Sequence, residues 1–388
     1  MRLADLLTEV RDSCDPRGAH NRRYVGLEQL PPGKLHIEES LSADSVVSKT
    51  KMFRRGDILF GTLRPYFRKV ARARFDGICS TDITVLRPRH NHDAWFAFYA
   101  VADPTFIAHA SATSNGTRMP RAKWAVVRDY VMPDLAPARR QRIGEALSAY
   151  DDLMENNARR IRIFEEIARS LYREWCVDFR YPGHEKEKLV RGSRVQLPSD
   201  WRPATLGELV DDERDAVDPA ELDASTPYFG LEHLPRRSTT LGSWGTAGEV
   251  QSTKLRVRRG DILFGKIRPY FHKVGVSPVD GVSSSDAIVV RARVEEHRAV
   301  VLACMSSDDF VARATASSHG TKMPRANWNV LKQYPLPLPP DPLLRIFNAA
   351  SAPAIDAALN LALRNRVLAA TRDLLLPRLL SGAIELVP

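Results

Sequence analysis

Gly56-Asp57-Ile58-Leu59-Phe60-Gly61-Thr62-Leu63-Arg64-Pro65-Tyr66-Phe67-Arg68-Lys69-Val70 returns almost unchanged as Gly260-Asp261-Ile262-Leu263-Phe264-Gly265-Lys266-Ile267-Arg268-Pro269-Tyr270-Phe271-His272-Lys273-Val274. The separation is 204 residues. It also pairs Tyr24-Val25-Gly26-Leu27-Glu28 with Tyr228-Phe229-Gly230-Leu231-Glu232, and Gly116-Thr117-Arg118-Met119-Pro120-Arg121-Ala122 with Gly320-Thr321-Lys322-Met323-Pro324-Arg325-Ala326. Aligned without a gap from Tyr24 to Pro133, roughly 45 of 110 positions are identical, far above chance. So long a period is a domain duplication and not a solenoid.

Each copy reads as two parts. The first is mixed α/β: β-branched or aromatic runs such as Asp57–Phe60 and Ile83–Leu86 are punctuated by Gly, Pro and Asp, with a helix expected over Ala94–Val101. Pro137 and the Pro335–Pro342 stretch mark where these parts stop, and a helix follows each. In the central segment, Ile143, Leu147, Tyr150, Met154, Ile161, Phe164, Ala168, Leu171 and Trp175 keep a 4-3 spacing that only Asn157 interrupts. That is a heptad seam, in which Asn157 either sets register or is merely tolerated. The C-terminal segment, from about 342 to 380, is Ala/Leu-rich with a broader stripe. The expected fold is therefore α/β (α+β): tandem domains joined by two long antiparallel coiled-coil helices, with an internal duplication of pseudo-two-fold symmetry.

The 388 residues are 44% hydrophobic and 27% charged, which excludes a disordered or collagen-like chain. No run of about 18 apolar residues and no signal-peptide core is present, so a cytoplasmic protein that spans no membrane is expected. Cys14, Cys79, Cys176 and Cys304 lie far apart without a CxxC pair and read as packed thiols. The net charge of +10 raises the odds of a polyanionic partner. That charge is clustered: residues 49–74 carry nine Lys/Arg against one Asp, and 253–278 carry seven against one. Such clusters suit phosphate contacts, although a single basic run can equally be a solvated loop; recurrence in both copies favours nucleic acid.

Within the clusters, Arg64 and Arg268 precede a proline that fixes a turn, which places a guanidinium at a loop edge where it can fork to guanine or phosphate. Arg68, Lys69, His272 and Lys273 follow on the same turns, the lysines suiting phosphate. Tyr66-Phe67 and Tyr270-Phe271 read as core aromatics. A second candidate is the glycine turn carrying Arg118 and Arg121, repeated with Lys322 and Arg325; a plain loop ahead of a strand holding Trp124 or Trp328 competes with it. No phosphate-binding Gly-x-x-x-x-Gly-Lys-Ser/Thr, HExxH pair or Asn/Asp-Pro-Pro-aromatic tetrad occurs. No catalytic residue, cofactor or metal ligand is expected, and the recurring Asp82 and Asp286 read as strand-entry turns.

The Gly-Asp-Ile-Leu-Phe-Gly-x-x-Arg-Pro-Tyr motif, the helix end Leu171-Tyr172-Arg173-Glu174-Trp175-Cys176-Val177-Asp178-Phe179-Arg180-Tyr181-Pro182-Gly183 and the tail Leu374-Leu375-Leu376-Pro377-Arg378-Leu379-Leu380-Ser381-Gly382 resemble the specificity (S) subunit of type I restriction-modification systems. Leu197-Pro198-Ser199-Asp200-Trp201 resembles the family's usual start of a recognition domain; the first copy begins at Met1-Arg2-Leu3 without it. The resemblance implies target recognition domains at 1–137 and 184–340, a central spacer helix at 138–183 and a C-terminal spacer helix at 341–388. It further implies a non-catalytic subunit that reads a bipartite site in double-stranded DNA and docks two methyltransferase (M) subunits and restriction (R) subunits. Two copies this alike imply a nearly palindromic target, diverging where Thr62/Lys266, Arg68/His272, Asn115/His319, Arg118/Lys322 and Lys123/Asn327 differ. A free-standing nucleic-acid-binding scaffold and a methyltransferase with cryptic motifs are the competing readings.

Overall fold

The computed structural model describes residues 1–18, 21–37, 40–186, 189–191 and 196–386. Parts of the expected second recognition domain (187–188 and 192–195) and of the C-terminal segment (387–388) lie outside the described residues. The chain forms two compact units, Met1–Leu153 with Ala369–Pro388, and Met154–Leu368.

In the first unit a four-stranded sheet runs in the order Leu7–Val10, Ile83–Pro88, Ile58–Gly61, Val70–Arg72. A five-stranded sheet follows the order Ser13–Cys14, Thr50–Phe53, Gly77–Ser80, Arg23–Val25, Leu41–Ser42. The second unit repeats both orders, and its registers follow at the sequence offset: Ile58 faces Leu86 as Ile262 faces Val290. The Ile-Leu-Phe-Gly strand is central and wholly buried because its alternate residues serve two cores. Ile58 and Phe60 join Phe96, Phe98 and Phe106, while Leu59 joins Phe53, Val25 and Val85. Removing three consecutive apolar side chains from water at about 1.5–3 kcal/mol for each makes this the anchor of the copy.

The Asp of the motif has a structural task. Asp57 is buried and accepts a fork from Arg87 at 2.7 Å and the Arg54 amide at 2.8 Å, and Asp261 does the same with Arg291 and Arg258. Helices at Ala94–Ala102 and Pro104–Ala112 cover the first sheet, as expected for the former. Two sequence expectations change. Trp124 and Trp328 open short helices, Trp124–Val127 and Trp328–Leu331, and not strands. The proline-rich stretch also contains a strand, Pro335–Leu338, paired antiparallel with Arg202–Thr205; that pairing gives each strand only one neighbour, so prolines are tolerated.

The long helices are Pro137–Tyr172, closed by a π turn at Arg173–Val177, and Asp341–Leu380. In the first unit Ile143 and Leu147 are fully buried with Leu376 and Leu379. In the second unit Trp175 packs on Phe347 at 5.7 Å and Asn157 donates to Asn365 at 2.8 Å, so the segments there run antiparallel. Asn157 is buried and paired, as a register-setting residue must be. Asp341–Leu380 is apolar enough along one window to match a membrane span by length and composition, which the run-counting rule missed. Nearly half of that window is buried within the protein. Trp201 of the Leu-Pro-Ser-Asp-Trp motif packs on Phe179 and Tyr181 just beyond the central helix, at 5.3 and 5.4 Å.

Candidate nucleic-acid interface

The site in each copy is built from two loops that lie about 50 residues apart in sequence. Pro65–Phe67 forms a single 3-10 turn, buried at Pro65, and is bracketed by Arg64 and Arg68, both at φ 50°. Pro269–Phe271 is bracketed in the same way by Arg268 at 50° and His272 at 52°. Left-handed backbone is costly for residues other than glycine and persists only where its surroundings enforce it. Here the enforcement comes from the second loop. The Arg64 amide donates to Pro120 O at 2.7 Å, the Ala122 amide to Thr62 O at 3.0 Å, and the Arg64 guanidinium reaches Arg118 O at 3.4 Å. In the other copy Arg268 N bonds Pro324 O at 2.8 Å, Ala326 N bonds Lys266 O at 2.8 Å, and the Arg268 guanidinium reaches Lys322 O at 3.2 Å. Gly116 and Gly320, at φ 108° and 107°, make the second loop's turn, where a side chain would be strained.

Within each copy the fold therefore joins the two sequence candidates into a cationic surface of that copy's own. Arg64, Arg118 and Arg121 are exposed on it, as are Lys322 and Arg325 in the second copy beside a half-exposed Arg268. Asp82 holds Arg121 at 3.0 Å, and Asp286 lies 3.9 Å from Arg325. The recurring aspartates thus steer a cation as well as form a turn, with Asp82 N donating to Ser80 Oγ. Asn115 and His319, which differ between copies, flank the same arginines through paired backbone bonds and are exposed.

Four of the expected contact residues are turned inward. Arg68 donates to Ala102 O at 2.7 Å and pairs with Asp373 at 3.2 Å. His272 is buried, with Nε2 2.8 Å from Ser306 O, and burial lowers its pKa. Lys69 and Lys273 give their ammonium groups to Leu27 O and Leu231 O, and burial lowers the pKa of Lys273. Position matters more than residue type: the second left-handed residue swings its side chain under the turn, where a carbonyl waits in both copies.

The aromatic expectation is reversed for three of its four residues, Phe271 being half-buried under Arg236. Tyr66 is 54% exposed, Phe67 39% and Tyr270 52%, so these are not core residues. The turn is too short to bury three side chains, and Pro65 or Pro269 takes the inner position. Met119 and Met323, 48% and 46% exposed, sit on the opposing loops. The signal in the sequence was a proline turn flanked by cations, a context that seldom leads into a core. Cys79, Cys176 and Cys304 are buried, and burial pushes their thiols up to about 12.

Fold and site define a class: an internally duplicated mixed α/β chain with two long helices and a cationic double loop in each copy. No family model matches the sequence. Over 381 residues the chain is 22% identical to the type I restriction enzyme MjaIX specificity subunit of Methanocaldococcus jannaschii, covering 95% of this chain and 86% of that one. It is 21% identical to the HindI specificity subunit of Haemophilus influenzae, covering 98% of each. The crystal structure of a type I restriction-modification S subunit from M. genitalium shares the fold with a TM-score of 0.59 at 14% identity, covering 98% of this chain and 95% of that one. The chain is thus similar over nearly its whole length to specificity subunits of type I restriction-modification systems.

Proposed function

We propose that this chain supplies DNA sequence specificity to a type I restriction-modification complex. Residues 1–137 and 184–340 act as tandem target recognition domains, each reading one half of a bipartite site in double-stranded DNA. The segments 138–183 and 341–388 act as coiled-coil spacer helices that set the gap between halves and carry two methyltransferase subunits, with restriction subunits joining that core. The work is done in the cytoplasm, where the DNA is. One observation carries this reading: Arg64, Arg118 and Arg121 recur as Arg268, Lys322 and Arg325 on loops tied by the same backbone bonds. Cations held at fixed positions on a rigid scaffold are what sequence readout needs, whereas mobile cations supply only salt-sensitive attraction. Leu153 on one stretch of the central helix, Ile163 and Ile167 on another, and Val367 on the C-terminal helix are exposed apolar residues, which suits subunit docking.

Arg68, Lys69, His272 and Lys273 have the supporting role of holding the turns. The readout surface comprises Arg64, Arg118, Arg121, Arg268, Lys322 and Arg325. The test is to express the chain with a type I methyltransferase subunit and sequence methylated bases genome-wide, while asking whether the methyltransferase co-purifies. An interrupted, nearly palindromic motif and a co-purifying methyltransferase are expected. Methylation without any interrupted motif would refute the reading.

A further inference from the structure

The exposed apolar tips of the double loop are unexplained by phosphate or hydrogen-bond recognition. Tyr66 and Tyr270 stand at the summit of turns held in left-handed backbone at both ends. Each is backed by the following phenylalanine, with ring centroids 4.8 Å apart in one copy and 4.9 Å in the other. In the second copy Arg236 caps Phe271 from 4.1 Å, which stiffens the support. Met119 and Met323 directly precede the prolines whose carbonyls accept the Arg64 and Arg268 amides, so each methionine is tied to the turn that displays the tyrosine. The arrangement recurs in both copies although their helices at 94–102 and 298–305 share no residue at aligned positions.

A tyrosine and a methionine kept in water by a strained, braced turn lose little freedom on binding. Set among arginines, they meet duplex DNA, whose largest apolar surfaces are its base faces. Apolar side chains of this size unstack base steps when they are pushed between them. We propose that Tyr66 with Met119, and Tyr270 with Met323, form a wedge in each copy that enters one base step of bound DNA and partly unstacks it. This rests on the DNA-reading function above and adds a deformation to it: part of the specificity comes from how easily the wedged step opens, at positions no hydrogen bond reads.

The test uses the full chain and duplexes of its target carrying 2-aminopurine at successive positions through each half-site. Wild-type protein should raise the fluorescence several-fold at one step per half. Tyr270→Ala should abolish the rise in one half, Tyr66→Ala in the other, and Tyr270→Phe should keep it. Because these tyrosines are exposed, melting curves should be unchanged; Met323→Ala provides a second, independent variant expected to weaken the rise. Specific binding with no rise at any position overturns the wedge and leaves DNA reading intact, as does a rise that survives Tyr270→Ala combined with Met323→Ala. Loss of methyltransferase co-purification in Tyr270→Ala, with the rise unchanged, assigns the tip to a protein partner and also overturns it. Failure to prefer the target over scrambled duplex defeats DNA reading itself, and the wedge with it.

Discussion

Arg64 and Arg68 close the two ends of one turn and point to different tasks. Both have φ 50°, yet the first guanidinium faces solvent beside Arg118 while the second is tied to Ala102 O and to Asp373, 305 residues away. Substituting Arg268 by Ala should therefore relax base preference in one half-site only, costing about 1–3 kcal/mol of discrimination at the affected position, the worth of a bidentate base contact. Binding to duplexes mutated one half at a time measures this; equal losses in both halves would refute the assignment. Lys273→Ala should act differently. Its ammonium serves Leu231 O, so the variant should lower the melting temperature and leave the salt slope of DNA binding unchanged. The Gly-Asp motif belongs at this scale too: Asp261→Ala removes a fork to Arg291 and an amide acceptor from a buried position, and should destabilise by about 1.5–3 kcal/mol in denaturant titration.

The long helices show the next scale. The 4-3 spacing was legible because a helical stripe is a local property, and the seam positions are indeed more covered than their neighbours: Ile143, Leu147 and Asn157 are buried where Leu153, Ile163 and Ile167 are exposed. Asn157 was ambiguous in sequence because its partner, Asn365, lies 208 residues on. Asn157→Leu alone should cost about 1–3 kcal/mol by leaving Asn365 Oδ1 without its donor, while Asn157→Leu with Asn365→Leu should recover most of the stability. A double-mutant cycle by thermal melting decides it; additive losses would show the pair to be uncoupled. Acid sensitivity is also an element property. His233, His272 and His297 lie in the second unit, and burial lowers the pKa of each below the ordinary 6.5. The unfolded chain then binds more protons than the native one as pH falls through that range. Their contribution to stability is complete above about pH 6.5 and lost below it. Melting temperature should drop between pH 7 and 5, and His272→Gln should flatten the drop.

For the whole molecule, duplication is the dominant fact. Two sheets recur in the same strand order in both units, so the copies present the same loops. The target should accordingly be nearly palindromic, with differences at bases faced by Asn115 or His319 and Arg118 or Lys322. Sequencing of methylated bases checks this, and two unrelated half-sites would contradict it.

The sequence by itself determined the duplication, the mixed α/β copies, the two helices and the resemblance to specificity subunits, because repeats, periodicity and motifs are written along the chain. It also located the cationic turns. It did not separate exposed cations from bracing ones, nor show that Tyr66 and Tyr270 are exposed. Those distinctions depend on which carbonyls and carboxylates stand opposite: Asp373 for Arg68, Leu27 O for Lys69, Pro120 O for the Arg64 amide. Such partners come from distant positions that share no spacing rule with the turn. Only the packed chain brings them within hydrogen-bond reach, and that packing decides which side of a strained turn each side chain occupies.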